Sequence, residues 1–495
     1  MSPRRPVPNL KLSSVNMVVR LLAGAALRHD LVYIEETLRI LIHLGLFTDI
    51  VNATLKLLNI RRTYSKPDKM LLHHKLLIKT LLPKLLNCHL VAINLRYDFI
   101  KHSFEAKEII LRGIRHFRNL ERIDLSGFCT DELVTKLSRH CPHLRHLSAN
   151  HSKALSNSAL SALTGAIRDG SEFVLGCKEL RRLEIFNCPL ITASKLVSLI
   201  LILPKISFIS SEKMPIAFES SALFESGQRF QLTNFEHTVS HLERSQEKFY
   251  QHLTRGETFL HKVSEIFPKI LTVKLTLSYY GDSHVVSQIR CFQNIHTLIL
   301  ELPDGRLEES FQELLMERGH QLKKLCLRVQ FANLRDLTSV FQFCPSLTVF
   351  QFFTITLFDD GFHGTKWERF PSSEFLVELC LGVGKTFSRN IELFPAIMEE
   401  LLLKMANMER VALSGICSSW LDDKSIDFLV IQGGLGAIRN LSINGKCPLT
   451  LISALSLIQH CQNLDHIPLH GWNLNVEDRL ELINFIHAND LNVTI

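Results

Sequence analysis

The feature that most constrains this chain is a six-residue frame, L-x-x-L-x-L, that returns at related intervals along most of its length. It begins as "LVAINL" at Leu90, "LERIDL" at Leu120, "LRHLSA" at Leu144, "LRRLEI" at Leu180 and a truncated "ISFIS" at Ile206. A second run opens with "ILTVKL" at Ile270, continues at Ile295, Leu322, Leu347, Leu376, Met408, Ile438 and Leu464, and closes on a terminal "LNVTI". Steps within each run lie between 24 and 36 residues and average about 28, the upper end of the leucine-rich-repeat period. Each frame reads as a short strand, followed by a turn and a helical pattern such as "DELVTKLSRHCP" or "LISALSLIQHCQN". Asp131 reads as a helix N-cap, and Pro142 as a residue that cannot extend the helix before it. A single strand and helix cannot bury their apolar faces alone, so neighbours must stack. The expected fold is α/β: a leucine-rich-repeat solenoid (horseshoe) with a concave parallel sheet and convex helices, preceded by a helical N-terminal cap.

Composition agrees with a long repetitive interior. The 495 residues are 46% hydrophobic, and Trp (3) and Tyr (6) are scarce beside 31 Phe. A net charge of +7 is modest for this length and argues only weakly for nucleic acid or an anionic membrane. The 12 cysteines contain no Cys-x-x-Cys pair, so no metal or cofactor is expected, and reduced buried thiols in a cytoplasmic or nuclear protein are. Arg4, Arg5, Lys11, Arg20 and Arg28 precede the first acid, Asp30; this imitates a mitochondrial presequence but reads better as a basic first helix. The longest later apolar run, Leu196 to Leu203, is far too short to cross a bilayer.

Cys129, Cys188, Cys417 and Cys447 follow their strands by a few residues, and Cys141 and Cys344 stand in Cys-Pro terminators. This pattern resembles the cysteine-containing leucine-rich repeats of F-box/leucine-rich-repeat proteins and their ribonuclease-inhibitor-like relatives, over residues 87–495. The resemblance implies a protein substrate bound by the repeats and an N-terminal box that docks the chain onto a cullin-ligase adaptor. Residues 1–86 read as helices, yet they lack the Leu-Pro start and Trp-containing end of an F-box, and no Ser-Leu-x-x-x-Cys box lies there. They serve either as such a degenerate box or as a cap on the first repeat. Between Ile206 and Ile270 the frame lapses, and an insertion or degenerate repeat is expected at about 207–268, with "LTNFEH" as a hidden strand.

Strand parity names the surface available to a partner. The second and third framework residues point into the core, so the residue between them and those flanking them face the concave side. In the first run these are Arg122, Asp124, Ser126, His146, Ser148, Asn150, Arg182, Glu184 and Phe186. In the second they include Lys274, Thr276, Lys324, Arg328, Arg410, Asn440, Ser442, His466 and His470. Mixed charge with occasional aromatics suits a protein partner better than a phosphate backbone. No catalytic residue is expected. "GVGKT" after Leu381 imitates a phosphate-binding loop, but Leu379 stands where the first glycine belongs, so it reads as a turn after a strand. His143, His146 and His151 lack metal-ligand spacing, and the glycines of "GGLGAIRNL" read as a helix-to-strand turn. The functional expectation is a ubiquitin-ligase substrate receptor, with a non-enzymatic scaffold or inhibitor as the alternative.

Overall fold

The computed structural model describes residues 10–27, 30–43, 48–55, 79–80, 82–86, 89–95, 104–165, 168–169, 172–173, 176–239, 257–277, 283–358, 373–386, 393–405, 407–445, 447–489, 491 and 493–495. The chain forms two compact units, one of Val7–Asn234 and the other of Phe235–Ile495. One five-stranded sheet contains β1 (Ala92–Asn94), β2 (Arg122–Asp124), β3 (His146–Ser148), β4 (Arg182–Glu184) and β5 (Phe208–Ser210), neighbours in chain order and parallel throughout. An eight-stranded sheet contains β6 (Asn234–Val239), β7 (Thr272–Leu277), β8 (Thr297–Arg306), β9 (Lys324–Asn333), β10 (Val349–Phe358), β11 (Glu378–Thr386), β12 (Arg410–Gly415) and β13 (Asn440–Asn444), again in chain order. His466 and Thr494 prolong it by single parallel bridges. One parallel strand and one helix per step is the leucine-rich-repeat arrangement that the frame predicts.

The frame explains the core. Leu120, Ile123 and Leu125, then Leu144 and Leu147, then Leu180, Leu183 and Ile185 are all buried; in the other unit Leu322, Leu325 and Leu327, and Ile438, Leu441 and Ile443, are buried at the same framework positions. Strand registers run one to one, so Ile123, Leu147, Leu183 and Ile209 stack in a single row. Helices close the other side. Leu133, Val134 and Leu137 are buried on the helix Asp131–His140, and Leu457 and Ile458 on the helix Leu451–His460.

Neighbouring helices are tied at their N-termini by a device that differs from the sequence expectation. Thr130, not Asp131, is the N-cap of its helix, accepting from Leu133 N. Asp131 is the first helical residue, and its carboxylate reaches the next repeat, where it accepts from Ser156 N (2.8 Å) and Ser156 Oγ (2.5 Å). Asn157 does the same for Thr192 N (3.0 Å), and Asp423 for Thr450 N (2.9 Å) and Oγ1 (2.7 Å), with Ser453 Oγ adding a third bond. Ser156, Thr192 and Thr450 are themselves N-caps, so one carboxylate or amide organises the start of the following helix.

The eighth residue of each repeat, counted from the first framework position, sets strand length. Gly127 (φ 87°), His151 (58°), Asn187 (56°), Gly415 (68°), Gly445 (129°) and Gly471 (87°) occupy it with left-handed backbone, and the neighbouring strands stop there. Asn187 and His151 bear this conformation with their side chains hydrogen-bonded to each other at 3.2 Å. Leu302, Val329, Thr354 and Val383 hold the same place in β8 to β11, where they are buried and extended, and those strands run to nine or ten residues. This corrects the reading of "GVGKT" as a turn. It continues β11, paired with β10 up to Thr356↔Lys385 and Leu357↔Thr386. Backbone amides that lie along a flat ladder cannot curl around a phosphate. The glycines near 433–436 do turn the chain, with Gly433 at φ 79° just beyond the helix Asp423–Ile431.

Asparagine side chains hydrogen-bond to both outer strands of the five-stranded sheet. Asn52, on the helical stretch 48–55, donates to Ala92 O (3.2 Å) and accepts from Asn94 N (2.9 Å). At the far edge Asn234 donates to Ile209 O (2.8 Å) and accepts from Ile209 N (3.3 Å). At the first edge Asn52 stands in for a missing strand, whereas beyond β5 the backbone itself follows, Thr233 N donating to Ser207 O at 2.7 Å. Helices Leu10–Leu27 and Leu31–His43 pack together ahead of this sheet, and Lys84 pairs with Glu35 of the second. The interval after Ile206 holds β5, short helices Met214–Phe218 and Ser221–Glu225, and β6 at the expected hidden strand; residues 240–256 lie outside the described residues. The long step from Leu144 to Leu180 contains a short antiparallel pair, Arg168–Asp169 with Glu172–Phe173.

Removing the inter-repeat carboxylate tests this account. Asp423→Ala is expected to cost about 1–2 kcal/mol in denaturant unfolding, and the exposed Lys424→Ala less than about 0.5 kcal/mol. Burial works to raise the Asp423 pKa, but the bonds from Ser453 and Thr450 outweigh it and hold the carboxyl below its ordinary 3.8. The stabilisation is therefore present above that value and is lost as pH falls below it.

Candidate functional site

The sheet face opposite the helices presents the parity residues in rows. In the five-stranded sheet Arg122, His146 and Arg182 align, with Phe208 beyond them, and Asp124, Ser148 and Glu184 form the next row. The structure draws His146, Ser148, Asn150 and Arg182 around Glu184. Its Oε1 accepts from Arg182 Nε at 2.6 Å and lies 3.2 Å from His146 Nε2; its Oε2 accepts from Ser148 Oγ and Asn150 Nδ2, both at 3.3 Å. Asn150 Oδ1 in turn accepts from Phe186 N at 2.8 Å, and the Arg182 guanidinium stacks 3.8 Å over the Phe208 ring. Ser126 Oγ donates to Asp124 Oδ1 at 2.6 Å and lies 3.0 Å from Ser148 Oγ. Ser148, expected to face a partner, is 5% exposed beneath this network. Arg122 stands outside the cluster, without an ion pair among the described residues, and Phe186 is exposed with His151 at its ring edge.

Electrostatics within the cluster oppose each other. Burial pushes the His146 pKa down, and although Glu184 pulls it up, the balance stays below the ordinary 6.5. For Glu184 burial pushes up, but the Arg182 bond and charge, with His146 and Asn150, bring the carboxyl below 4.5. Hydroxyl and imidazole both bond to the carboxylate, so Ser148 and His146 do not form a nucleophile–base relay.

In the eight-stranded sheet most of the cations named from the sequence are paired with acids. Lys274 pairs with Glu236 at 2.6 Å, Arg328 with Glu301 at 3.3 Å and Arg410 with Glu378 at 3.2 Å. Glu301 also accepts from Thr276 Oγ1 (3.0 Å), and Glu378 from Gln351 Nε2 (2.9 Å). Lys324 has no ion pair among the described residues. Asn440 and His466 share the Arg410 row, Ser442 lies in the next, and His470 is exposed beyond β13. Beside the Arg328–Glu301 pair lies a hollow of about 490 Å³, walled by Phe353, Ile355 and the glycines 382 and 384. Glu301, Glu378 and Phe353 obey the same parity as the residues named from the sequence. Ile355 and Gly384 lie past the frame, and only the strand run-on brings them to the face.

Burial raises the thiol pKa values of Cys129, Cys141, Cys344 (to about 12) and Cys417 (to about 12), and all eleven described cysteines are free. No cluster of three or more metal-ligating side chains occurs among the described residues, and no described helix is long and apolar enough to cross a membrane. A Ser-Leu-x-x-x-Cys frame does occur outside the N-terminal region, at Ser456–Cys461. It belongs to a repeat helix: Leu457 and Cys461 are buried, and Ser456 donates to Asp427 at 2.7 Å.

No family model and no curated protein matches the chain. Solved structures to which it is similar include an internalin from Listeria monocytogenes, at 14% identity and TM-score 0.33, covering 75% of this chain and 80% of that one. Another is the yeast Rad7–Elc1 complex, at 14% identity and TM-score 0.38, covering 89% of this chain and 93% of the other. Neither superposition adds to what the strands and helices show by themselves.

The His146 geometry predicts a pH response. Because its pKa is lowered on folding, its contribution is intact above 6.5 and is lost as pH falls from there to the lowered value. Acidification from about pH 7.5 to about pH 5.5 is expected to lower the melting temperature of the wild type more than that of His146→Gln.

Proposed function

We propose that this chain is a protein-interaction module that binds a polypeptide partner on the open faces of its repeat sheets, without catalysing a reaction. One observation carries the reading. The cations Arg182, Lys274, Arg328 and Arg410 are each neutralised by an acid nearby on the same face, while Phe186 and Ile355 stand exposed among them. A nucleic-acid surface needs uncompensated cations in a row. Alternating ion pairs with apolar residues between them suit a protein surface.

The finer proposal is that the partner is the substrate of a ubiquitin ligase, in a cytoplasmic or nuclear setting that the free thiols favour. It rests on the cysteine-containing repeat pattern and on the apolar surface of the first two helices, where Met17, Val32 and Ile40 are 65%, 69% and 59% exposed. Exposed apolar side chains on two packed helices are what an adaptor-docking surface requires.

Affinity purification of the full-length protein separates these layers. Arg182→Glu combined with Phe186→Ala is expected to reduce recovery of face-bound partners about tenfold and to leave cullin-ligase core subunits in place. Val32→Asp combined with Ile40→Asp is expected to do the reverse. If the wild-type protein recovers no cullin-ligase subunit, the ligase proposal is wrong and the scaffold or inhibitor reading stands. If partner recovery is indifferent both to these face substitutions and to Arg328→Glu on the eight-stranded sheet, the interaction-face reading is wrong.

A further inference from the structure

We infer that the hollow over β8 to β12 selects a partner segment in which a bulky apolar side chain, aromatic or branched, stands next to a carboxylate. This rests on the reading of the sheet face as a protein-binding surface and names what that face takes.

The hollow exists because β11 lacks side chains at two positions where its neighbours have them. Arg328, Phe353, Gly382 and Ser414 lie in one row of the sheet. A Cβ at Gly382 would stand 2.6 Å from Phe353 Cδ1 and 2.7 Å from Ser414 Oγ, and one at Gly384 would stand 2.8 Å from Ile355 O. Glycine at 382 lets the Phe353 ring lie down over the neighbouring strand, and glycine at 384 leaves that end of the hollow uncovered. Ile355, 55% exposed, forms an apolar wall beside it. At about 490 Å³ the open space exceeds any one side chain.

Charge decides the neighbour of that apolar group. Arg328 lines the hollow with its guanidinium 5.8 Å from the Phe353 centroid, and its side chain is 59% exposed against 22% for its partner Glu301. Both Glu301 oxygens are engaged, one by Arg328 and the other by Thr276. A guanidinium has five N–H donors, and the Glu301 contact uses one of Arg328's. Lys324, on the same strand and face, has no ion pair among the described residues. The accessible charge at the rim is therefore positive, and a carboxylate beside the inserted apolar group completes it with charge-assisted hydrogen bonds. A polyphosphate backbone would meet the same cation but gain nothing from Phe353 and Ile355.

A display library of random linear peptides, selected on the full-length protein, tests this. The expected result is enrichment of peptides with an aromatic or branched apolar residue adjacent to Asp or Glu. A synthetic peptide of the enriched type is expected to bind about tenfold or more weakly to Arg328→Glu and to Ile355→Asp, and equally well to the helix-surface variant Lys424→Glu. Amidating its carboxylate should weaken binding to the wild type but not to Arg328→Ala, the signature of a direct pair. Both hollow substitutions fall on exposed side chains, and melting curves matching the wild type confirm that they fold. No enrichment, enrichment of basic peptides, competition by single-stranded RNA, or binding indifferent to Arg328 and Ile355 overturns the inference. If enriched peptides depend instead on Arg182 and Phe186, the hollow is wrong while the sheet-face reading survives. Dependence on neither sheet removes both.

Discussion

The rest of this structure depends on one constraint: a repeat of one strand and one helix has more apolar surface than it can bury, and its framework residues become dry only when the next repeat lies against them. Rows such as Ile123, Leu147, Leu183 and Ile209 express that dependence directly. Burial along the columns imposes one-to-one parallel register, since a shift of one residue would turn every leucine to the open face. It also creates a first edge at which the stacking stops, and there Asn52 satisfies the edge strand β1 with its side-chain amide. The N-terminal helices thus belong to the same constraint, because the residue closing the first edge sits on their continuation.

Backbone handedness at one position modulates this uniform stack. Where the eighth residue of the repeat adopts positive φ, the strand ends and the chain departs; where an aliphatic or β-branched residue stays extended, another inward residue is buried and the strand runs on. The open face therefore differs from repeat to repeat although the core scarcely does. The hollow beside Phe353 and Ile355 lies on the run-on portions of β9 to β11, and the glycines that shape it sit on a strand that the frame alone would end earlier.

Electrostatics on that face follow from strand spacing. Residues in one row of adjacent parallel strands are close enough for Arg and Glu side chains to meet, as Arg328 meets Glu301 and Arg410 meets Glu378. A cation that looks free along the sequence is often half of a pair across it. His146 shows the limit of pairing: even with Glu184 at 3.2 Å, loss of water outweighs the attraction and keeps the ring on its neutral side.

By itself the sequence determined the repeat, its framework columns, the parity of Arg122 through Phe186 and the burial of the post-strand and Cys-Pro cysteines, because all of these follow from periodicity in a locally extended or helical chain. It also carried, in glycines such as 127, 415, 445 and 471, the signal for where strands end. Tertiary structure alone decided which partners those residues have. Asp131 sits where a cap is expected, yet its carboxylate serves the next helix, a choice that depends on how two helices lie side by side. Ser148 has the parity of a surface residue and is covered by its neighbours, while the need for glycine at 382 arises only because Phe353 of the adjacent strand lies against it. Contacts between residues some 25 to 40 positions apart leave no trace in a local pattern, since the register and the twist that bring them together are set by the whole stack.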